Sequence, residues 1–323
     1  MQAAALPTDE PQRLQTLHSL RLLDTVAEER FDRLTRLARR LFDVPIALVS
    51  LVDANRQWFK SRAGLEATET PRRVSFCAHA ILGDGLFLIP DAQRDPRFAD
   101  NPLVTGEPFI RFYAGQPLRA SNGAKLGTLC LLDQRPRRLG EEDIALLRDL
   151  ANMAEQELMA FHLATTDELT GVCNRRGFET LARHALGACR RRGQPATLVY
   201  FDLNDFKAIN DAQGHAAGDA VLRRFATALR DALRESDVVG RLGGDEFVAL
   251  LIDTPPQGTE AALERLHGLV ADVADGAAVR FSVGMVGYDG QGAVDMSELL
   301  AEADRAMYAH KRALKLGRGA APR

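Results

Sequence analysis

The sequence predicts two folded domains of mixed helix and strand, an α+β domain followed by an α/β domain, joined by a long helix. The 323 residues are more than one hydrophobic core usually organises, so two domains are expected. Short apolar runs fill the first half, and helical and strand-like patterns alternate in the second. An uninterrupted helical pattern over 140–165 lies between the halves.

The composition is that of a globular protein and argues against several functional classes. Hydrophobic residues make up 46% and charged residues 26% of the chain, which is ordinary for soluble proteins. The formal net charge of -3 lacks the basic excess expected for general nucleic-acid binding. The N-terminus has no signal-peptide pattern, and no apolar run is long enough to span a bilayer. The sequence therefore predicts a soluble cytoplasmic protein that binds neither nucleic acid nor membranes.

The cysteine pattern indicates reduced thiols. The chain has 4 cysteines, and none forms a CxxC pair or a zinc-like spacing with histidine. They are Cys77, Cys130, Cys173 and Cys189. Cytoplasmic thiols are usually reduced, so no disulfide is expected.

The first domain is predicted at 20–160, after a polar leader over 1–19. An amphipathic helix over 28–42 begins it, and Phe31, Leu34, Leu37 and Leu41 recur there at helical spacing. Short apolar runs bounded by turn residues then predict strands at 46–53, 57–64, 86–92, 112–120 and 126–133, with a helix at 75–82. Strands flanked by helices in this way predict an antiparallel sheet.

The connecting helix over 140–165 carries apolar residues at alternating steps of three and four. They are Ile144, Leu147, Ala151, Ala154, Leu158 and Phe161. This heptad spacing is typical of a coiled-coil seam, which would make a homodimer, and a helix packed on its own domain is the alternative. We hypothesise that this helix transmits the state of the first domain to the second.

The second domain is predicted at 161–323. After a helix over 177–192, its elements follow the order β-α-α-β-β-α-β, which predicts a mixed sheet covered by helices. The strands are predicted at 196–203, 238–242, 246–252 and 278–286, and the helices at 206–211, 218–234, 257–274 and 297–316.

Three acids predict a metal site at the edge of this sheet. Asp202 ends an apolar strand, where ligands gather in α/β folds, and Asp245 and Glu246 follow the pair Gly243 and Gly244 in a hairpin turn. Carboxylates that meet at one edge repel each other, and a hard divalent cation such as Mg²⁺ relieves the repulsion. The spacing alone is equally compatible with an ordinary surface hairpin.

Four ordered segments of the second domain resemble the GGDEF family of diguanylate cyclases. They are DELTGVCNRRGF (167–178), FDLNDFKAINDAQGHAAGD (201–219), RLGGDEFVALL (241–251) and ADRAMYAHK (303–311). The resemblance covers about 165–318 and implies a nucleotidyl-cyclase-like fold. It also implies a homodimer that condenses two GTP into cyclic di-GMP and releases two pyrophosphates. No P-loop pattern is present, which argues against a Walker-type NTPase.

The resemblance also implies a role for each matching residue. The metal ligands would be Asp202, the Leu203 carbonyl and Asp245, which hold two Mg²⁺ per active site, with Mn²⁺ as the alternative. The catalytic residues would be Asp245, Glu246 and Lys207, and the substrate-binding residues Phe206, Asn210, Asp219, Gly243, Gly244 and Lys311. An inhibitory product site would comprise Arg234, Asp237 and Arg265, because RxxD (234–237) precedes Gly243 at the family's spacing.

Some positions depart from the family's pattern. Asn204 replaces the second acid of the frequent DxD, with little expected effect, and Cys173 is interpreted as a packing residue. Extra residues separate Lys311 from Gly317, which leaves the role of Arg318 open. A non-enzymatic receptor for GTP or cyclic di-GMP is the alternative function, although the intact acids argue against it.

The first domain resembles a GAF domain, a family that senses small molecules. The likeness is carried by FDRLTRLARRLFDVPIALVSLVD, QWFKSRAG, SFCAHAI and LGTLCLLD. The ligand is not readable from the fold, and a scaffold without a ligand is an alternative. Cys77 and His79 suggest a chromophore or metal site, or else a core cysteine beside a capping or solvent-facing histidine. Trp58 could line a pocket or lie in a core or interface.

Overall fold

The computed structural model describes residues 1–271, 279–292 and 294–319, with side chains as far as residue 313. The chain divides into two compact units, Met1–His162 and Leu163–Arg323. In the described part of the chain, no helix combines the length and the apolar character needed to cross a membrane.

Unit 1 is a six-stranded sheet with helices. Its elements are α1 (Glu10–Ser19), α2 (Glu29–Leu41), β1 (Ile46–Val52), β2 (Arg56–Ala63), β3 (Glu69–Pro71), α3 (Phe76–Ala80), β4 (Phe87–Ile89), α4 (Pro102–Thr105), β5 (Phe112–Arg119), β6 (Lys125–Asp133) and α5 (Glu141–Thr165), the last of which extends past the unit boundary. The strand order is β3-β2-β1-β6-β5-β4, and every pairing is antiparallel, which confirms the predicted kind of sheet.

The sheet of unit 1 separates two hydrophobic cores. Phe31, Leu34 and Ala38 of α2 lie in one of them, but Leu37 and Leu41 are 39% and 50% exposed, so their predicted place on the buried face was wrong. The helix buries a narrower stripe because the positions three and seven residues from Leu34 point away from the sheet.

Cys77, His79 and Trp58 can now be placed in unit 1. Cys77 and Trp58 are both buried in the cores of unit 1. The His79 ring packs edge-on against Phe98, and its Nε2 lies 3.1 Å from the Gln2 carbonyl oxygen.

Five of the six heptad residues of α5 are buried within their own domain, and Ile144 is half-buried. Leu147, Ala151, Ala154, Leu158 and Phe161 are each no more than 5% exposed and belong to the core beside α2. A seam that is already covered cannot face a second helix, so the coiled-coil interpretation of these residues was wrong. Periodicity identified the apolar face correctly, and the sheet covers it.

The segment predicted as a leader contains α1, which packs on the domain. Leu17 is fully buried in the first core, and Arg13 is 1% exposed. The Glu10 carboxylate accepts hydrogen bonds from the Arg13 guanidinium at 2.7 and 2.8 Å and also pairs with Arg72. These contacts join α1 to the short 3₁₀ turn at Arg72–Val74, so residues 10–19 are part of the folded unit.

We expect Glu10→Gln to lower the free energy of unfolding of unit 1 by about 3 kcal/mol at pH 7, because two buried guanidinium groups lose their counter-charge. Burial opposes ionisation of Glu10, but hydrogen bonds from Arg13 and Arg72 outweigh it and lower its pKa to about 2 from 4.5. The contribution of the carboxylate is therefore present above pH 4.5 and lost as the pH falls toward 2. Urea unfolding across this range measures it, with the exposed Glu142→Gln as control. Equal stability of Glu10→Gln and wild type would restore the leader interpretation.

Unit 2 contains a four-stranded sheet. Its elements are α6 (Arg175–Arg192), β7 (Ala196–Leu203), α7 (Phe206–Gln213), α8 (His215–Ala232), β8 (Val238–Gly243), β9 (Glu246–Ile252), α9 (Pro256–Ala271), β10 (Phe281–Tyr288) and α10 (Met296–Gly319). The order β-α-α-β-β-α-β is as predicted. The predicted ends at 272–274 and 278 lie outside the described residues.

The sheet order of unit 2 is β10-β7-β9-β8, and its three pairings are all antiparallel. The expectation of a mixed sheet was therefore wrong. The element order did not reveal which strands become neighbours. Each crossover that contains helices joins two strands of the same direction, β7 with β8 and β9 with β10, and an antiparallel strand lies between the members of each pair.

Alternation along β7 divides the side chains between the two faces of the sheet. Phe201 packs with Phe225, Phe247 and Phe281 on one face. Leu198 and Tyr200 lie in the other core, with residues of α6 and α10. Because side chains alternate along a strand, Asp202 lies on the same face as Tyr200, toward α10.

Candidate active site

The glycine turn between β8 and β9 brings the predicted acids to one edge of the sheet. Gly243 and Gly244 have φ of 154° and 50°, which a residue with a Cβ rarely adopts. Glu246 is the cross-strand partner of Asp202, and the Leu203 amide donates to the Asp245 carbonyl oxygen at 3.2 Å. The structure thus places Asp202 and Leu203 beside the hairpin turn.

The carboxylates at this edge of the sheet would be stabilised by positive charge. Burial raises the pKa of Asp245, and the nearby Asp202 charge raises it further. Asp202 is 8% exposed, and the Lys311 ammonium from α10 lies 2.5 Å from its Oδ1. Two carboxylates that repel each other beside the Leu203 carbonyl are an oxygen donor set that fits a hard divalent cation.

The predicted cluster of three acids is not complete. In the ranges the structure describes, no group of three or more His, Cys, Asp or Glu side chains is arranged to hold a metal ion. Glu246 instead lies diagonally across the strands from Tyr200, on the same face. Burial and the Glu246 carboxylate, which accepts a hydrogen bond from the phenol, raise the pKa of Tyr200. Tyr200 was not predicted as a site residue, because it lies in an apolar run that predicts only a strand.

A second polar site lies between α7 and α8. The Asn210 Oδ1 is buried and has no hydrogen-bond partner among the described residues, which is the state expected of an atom that awaits a ligand. A Cβ at Gly218 would lie 2.0 Å from this oxygen, so a glycine is required there. Phe206 packs beside Gly218, and Asp219 lies 4.0 Å from Arg223. Lys207 is exposed on α7.

Arg241 and Asp167 hold the glycine turn in place. Neither was predicted as a site residue. The Arg241 guanidinium donates to the Gly244 carbonyl oxygen from Nε at 2.9 Å and Nη2 at 2.7 Å. Its Nη1 donates to both Asp167 carboxylate oxygens at 3.2 Å. Asp167 also accepts from the Thr170 amide at 2.9 Å. Both residues fall inside the quoted motifs, which was the available signal.

The predicted inhibitory residues lie in and beside the turn before β8. Asp237 is buried, and its carboxylate accepts from the Arg234 amide at 2.9 Å and the Ile252 amide at 3.0 Å. Burial raises the pKa of Asp237. The Arg265 guanidinium donates to the Ala232 carbonyl oxygen at 2.8 Å, and the Arg234 side chain is exposed.

Cys173 and Arg318 belong to the positions discussed above as departures from the family's pattern. Cys173 is 1% exposed and pairs through its backbone with β8, as expected for a packing residue. The side chain of Arg318 lies outside the described residues.

The fold and site define a class of protein: an α+β domain with an antiparallel sheet, followed by a domain that presents acids at a glycine hairpin and a buried amide oxygen between two helices. Two family profiles match the chain, "GAF domain" at residues 27–158 and "Diguanylate cyclase, GGDEF domain" at residues 164–315. The chain therefore carries a GAF domain followed by a GGDEF domain.

Curated proteins with similar sequences include two from Pseudomonas aeruginosa. The chain is 46% identical over 171 residues to the cyclic di-GMP phosphodiesterase PA2567 of Pseudomonas aeruginosa, covering 52% of this chain and 29% of that protein. It is 32% identical over 298 residues to the diguanylate cyclase DgcP of the same species, covering 84% of this chain and 43% of that protein. The chain thus spans less than half the length of either relative.

A crystal structure of the diguanylate cyclase SiaD with its activator SiaC, from Pseudomonas aeruginosa, is also similar. The identity is 32%, the TM-score is 0.44, and the match covers 53% of this chain and 68% of that chain.

Proposed function

We propose that this protein is a diguanylate cyclase, which condenses two GTP molecules into cyclic di-GMP and releases two pyrophosphates. The observation that carries the proposal is the meeting of Asp202 and Leu203 with Asp245 at the glycine turn. Mg²⁺ is the proposed cofactor, with Mn²⁺ as the alternative, and two ions per active site are proposed.

Different residues of the chain would bind the cations, the guanine base and the phosphates. Asp202, Asp245 and the Leu203 carbonyl would hold the divalent cations, which when bound neutralise charge on the phosphates. The buried acceptor of Asn210 suits the N1–H and amino donors of guanine, and Asp219 on α8 would accept the remaining donor. Lys207 and Lys311 would contact phosphate oxygens, for which Lys311 must leave its ion pair with Asp202.

The proton transfer is assigned to the hairpin acids. Glu246, or Asp245 beside it, accepts the proton of the ribose 3′-hydroxyl as the 3′-oxygen attacks the α-phosphorus of the second GTP. The bond from the α-phosphorus to the bridging oxygen breaks, and pyrophosphate leaves. The reciprocal attack closes the ring. Because each domain would hold one GTP, the proposed active unit is a homodimer in which two sites face each other.

Product analysis tests the proposal. The full chain is incubated with GTP and Mg²⁺, and nucleotides are separated by chromatography and mass spectrometry. We expect cyclic di-GMP with two pyrophosphates per molecule formed. Folded, dimeric protein that yields no product would refute the cyclase, and cyclic di-GMP binding without turnover would favour the receptor alternative.

We also propose two levels of regulation. The GAF domain would respond to a small ligand and alter cyclase activity, and cyclic di-GMP would inhibit the enzyme at Arg234 and Asp237, with Arg265 as a further contact. The exposed guanidinium of Arg234 suits a phosphate or guanine edge.

Arg234→Ala is the informative variant for product inhibition. We expect it to raise the concentration of cyclic di-GMP that halves activity by about tenfold or more, because a charge-assisted contact is lost, while initial velocity without product is unchanged. Progress curves with added cyclic di-GMP measure this. Asp237→Ala is less informative, because it removes the acceptor of the Arg234 and Ile252 amides. Unchanged inhibition in Arg234→Ala would exclude this site.

A further inference from the structure

Two cysteines of the GAF domain form a polar cluster inside an apolar core. The Cys77 sulfur on α3 lies 3.8 Å from the Cys130 sulfur on β6, and both side chains are essentially fully buried. The Tyr113 hydroxyl donates to the Cys77 sulfur at 3.2 Å, and the Thr128 hydroxyl donates at 3.0 Å. A cysteine that only fills space in a core needs no hydrogen-bond donors, whereas the Cys77 sulfur has two hydroxyl donors.

The two sulfurs differ in their electrostatic environment. Burial raises the pKa of the Cys77 thiol, but hydrogen bonds from Cys130, Thr128 and Tyr113 outweigh burial and lower its pKa. Burial and the neighbouring Cys77 raise the pKa of Cys130. Cys77 is thus the sulfur whose thiolate form two hydroxyl donors would stabilise, and Cys130 is held in contact with it.

We propose that Cys77 and Cys130 are a covalent modification site, at which hydrogen peroxide oxidises Cys77 and Cys130 then closes a disulfide with it. The Cys77 sulfur attacks one peroxide oxygen, the O–O bond breaks, and the departing hydroxide takes the displaced proton to form water. This leaves a sulfenic acid on Cys77. The Cys130 sulfur attacks the Cys77 sulfur, the S–O bond breaks, and a second water leaves. Two thiols lose two electrons and two protons in total, and one peroxide becomes two waters.

The burial of Cys77 and Cys130 limits which oxidants can reach their sulfurs. Cys77 is 1% exposed and Cys130 is 0% exposed, so a bulky disulfide such as oxidised glutathione cannot reach either sulfur in the folded domain. Hydrogen peroxide is close to water in size and can penetrate a core through small fluctuations. The two sulfurs are already in contact, so the disulfide requires local movement of side chains rather than rearrangement of the sheet.

Cys189 provides an internal control for reactivity. It is also 1% exposed and unpaired with another cysteine, and burial raises its pKa. A cysteine whose pKa is raised should react with peroxide more slowly than Cys77.

The test is peptide mapping of the full chain after brief treatment with hydrogen peroxide, followed by alkylation of the remaining thiols. We expect a Cys77–Cys130 disulfide to form about tenfold or more faster than any oxidation of Cys189, with no reaction toward oxidised glutathione. In Cys130→Ser, unfolding in the presence of dimedone directly after the peroxide step should trap a sulfenic acid on Cys77, and in Thr128→Val disulfide formation should slow. Near-UV circular dichroism verifies that the protein remains folded.

Three outcomes would overturn the assignment: equal rates at Cys77 and Cys189, a reduced Cys77–Cys130 pair until the protein unfolds, or a different first disulfide. The readout is the mass of the modified peptides and does not depend on cyclase activity.

Discussion

Asp245→Asn should reduce cyclic di-GMP synthesis by about 10³-fold or more, because a neutral amide is a poor ligand for the divalent cation and cannot balance its charge. The same substitution removes a carboxylate whose pKa is already raised by burial and by Asp202. The folded protein should therefore be no less stable, since a repulsion disappears. Initial velocities with GTP and Mg²⁺ measure the loss, and thermal unfolding measures the stability.

The control for this variant is Glu264→Gln on α9, which also removes one negative charge but from an exposed position. It should keep wild-type activity. Nucleotide binding in the absence of Mg²⁺ should survive in Asp245→Asn, since Asn210 lies on α7 outside the hairpin. Activity within about threefold of wild type would mean that Asp245 is not a cation ligand.

Arg241→Ala should lower kcat by about 10- to 100-fold with little change in KM, because misplacing a reacting group by about 1 Å has an effect of this size. Arg241 makes no proposed contact with GTP. It anchors the Gly244 carbonyl and Asp167, and so sets the position of the turn that carries Asp245. Arg241→Lys should recover little of the lost kcat. A single ammonium group cannot donate to both the Gly244 carbonyl and the Asp167 carboxylate as the guanidinium does.

A double-mutant cycle separates positioning from general destabilisation. Asp167→Asn should lower kcat less than Arg241→Ala, and the double variant should lose less than the product of the two effects, since both remove one contact. The exposed Arg190→Ala on α6 is the matched control. Equal losses in kcat and melting temperature, with no coupling between the two sites, would make Arg241 a purely structural residue.

The local sequence was sufficient for most of the elements. The strands at 196–203 and 246–252 were predicted with their observed bounds, because continuous apolar runs end at Asp202 and begin after a glycine turn. The four ordered motifs identified the GGDEF domain, and the match at 164–315 agrees with them. Predictions of this kind succeed because strand patterns and turn chemistry are short-range properties of the chain.

Other features depended on contacts between distant residues. The polar segment 1–19 gave no sign that Glu10 would meet Arg72, and nothing local links Asp167 to Arg241. The pairing of the strands in unit 2 was also mispredicted, because element order does not state which strands become neighbours in the sheet.

For this protein, sequence periodicity alone determined which face of each helix and strand is apolar and which residue types stand at the hairpin. Tertiary structure alone decided what covers each face, as the burial of Leu147 and Leu158 shows. It also decided which charged groups become partners. The physical reason is that local patterns report the solvation preference of a side chain, whereas its neighbour across the fold depends on the path of the whole chain.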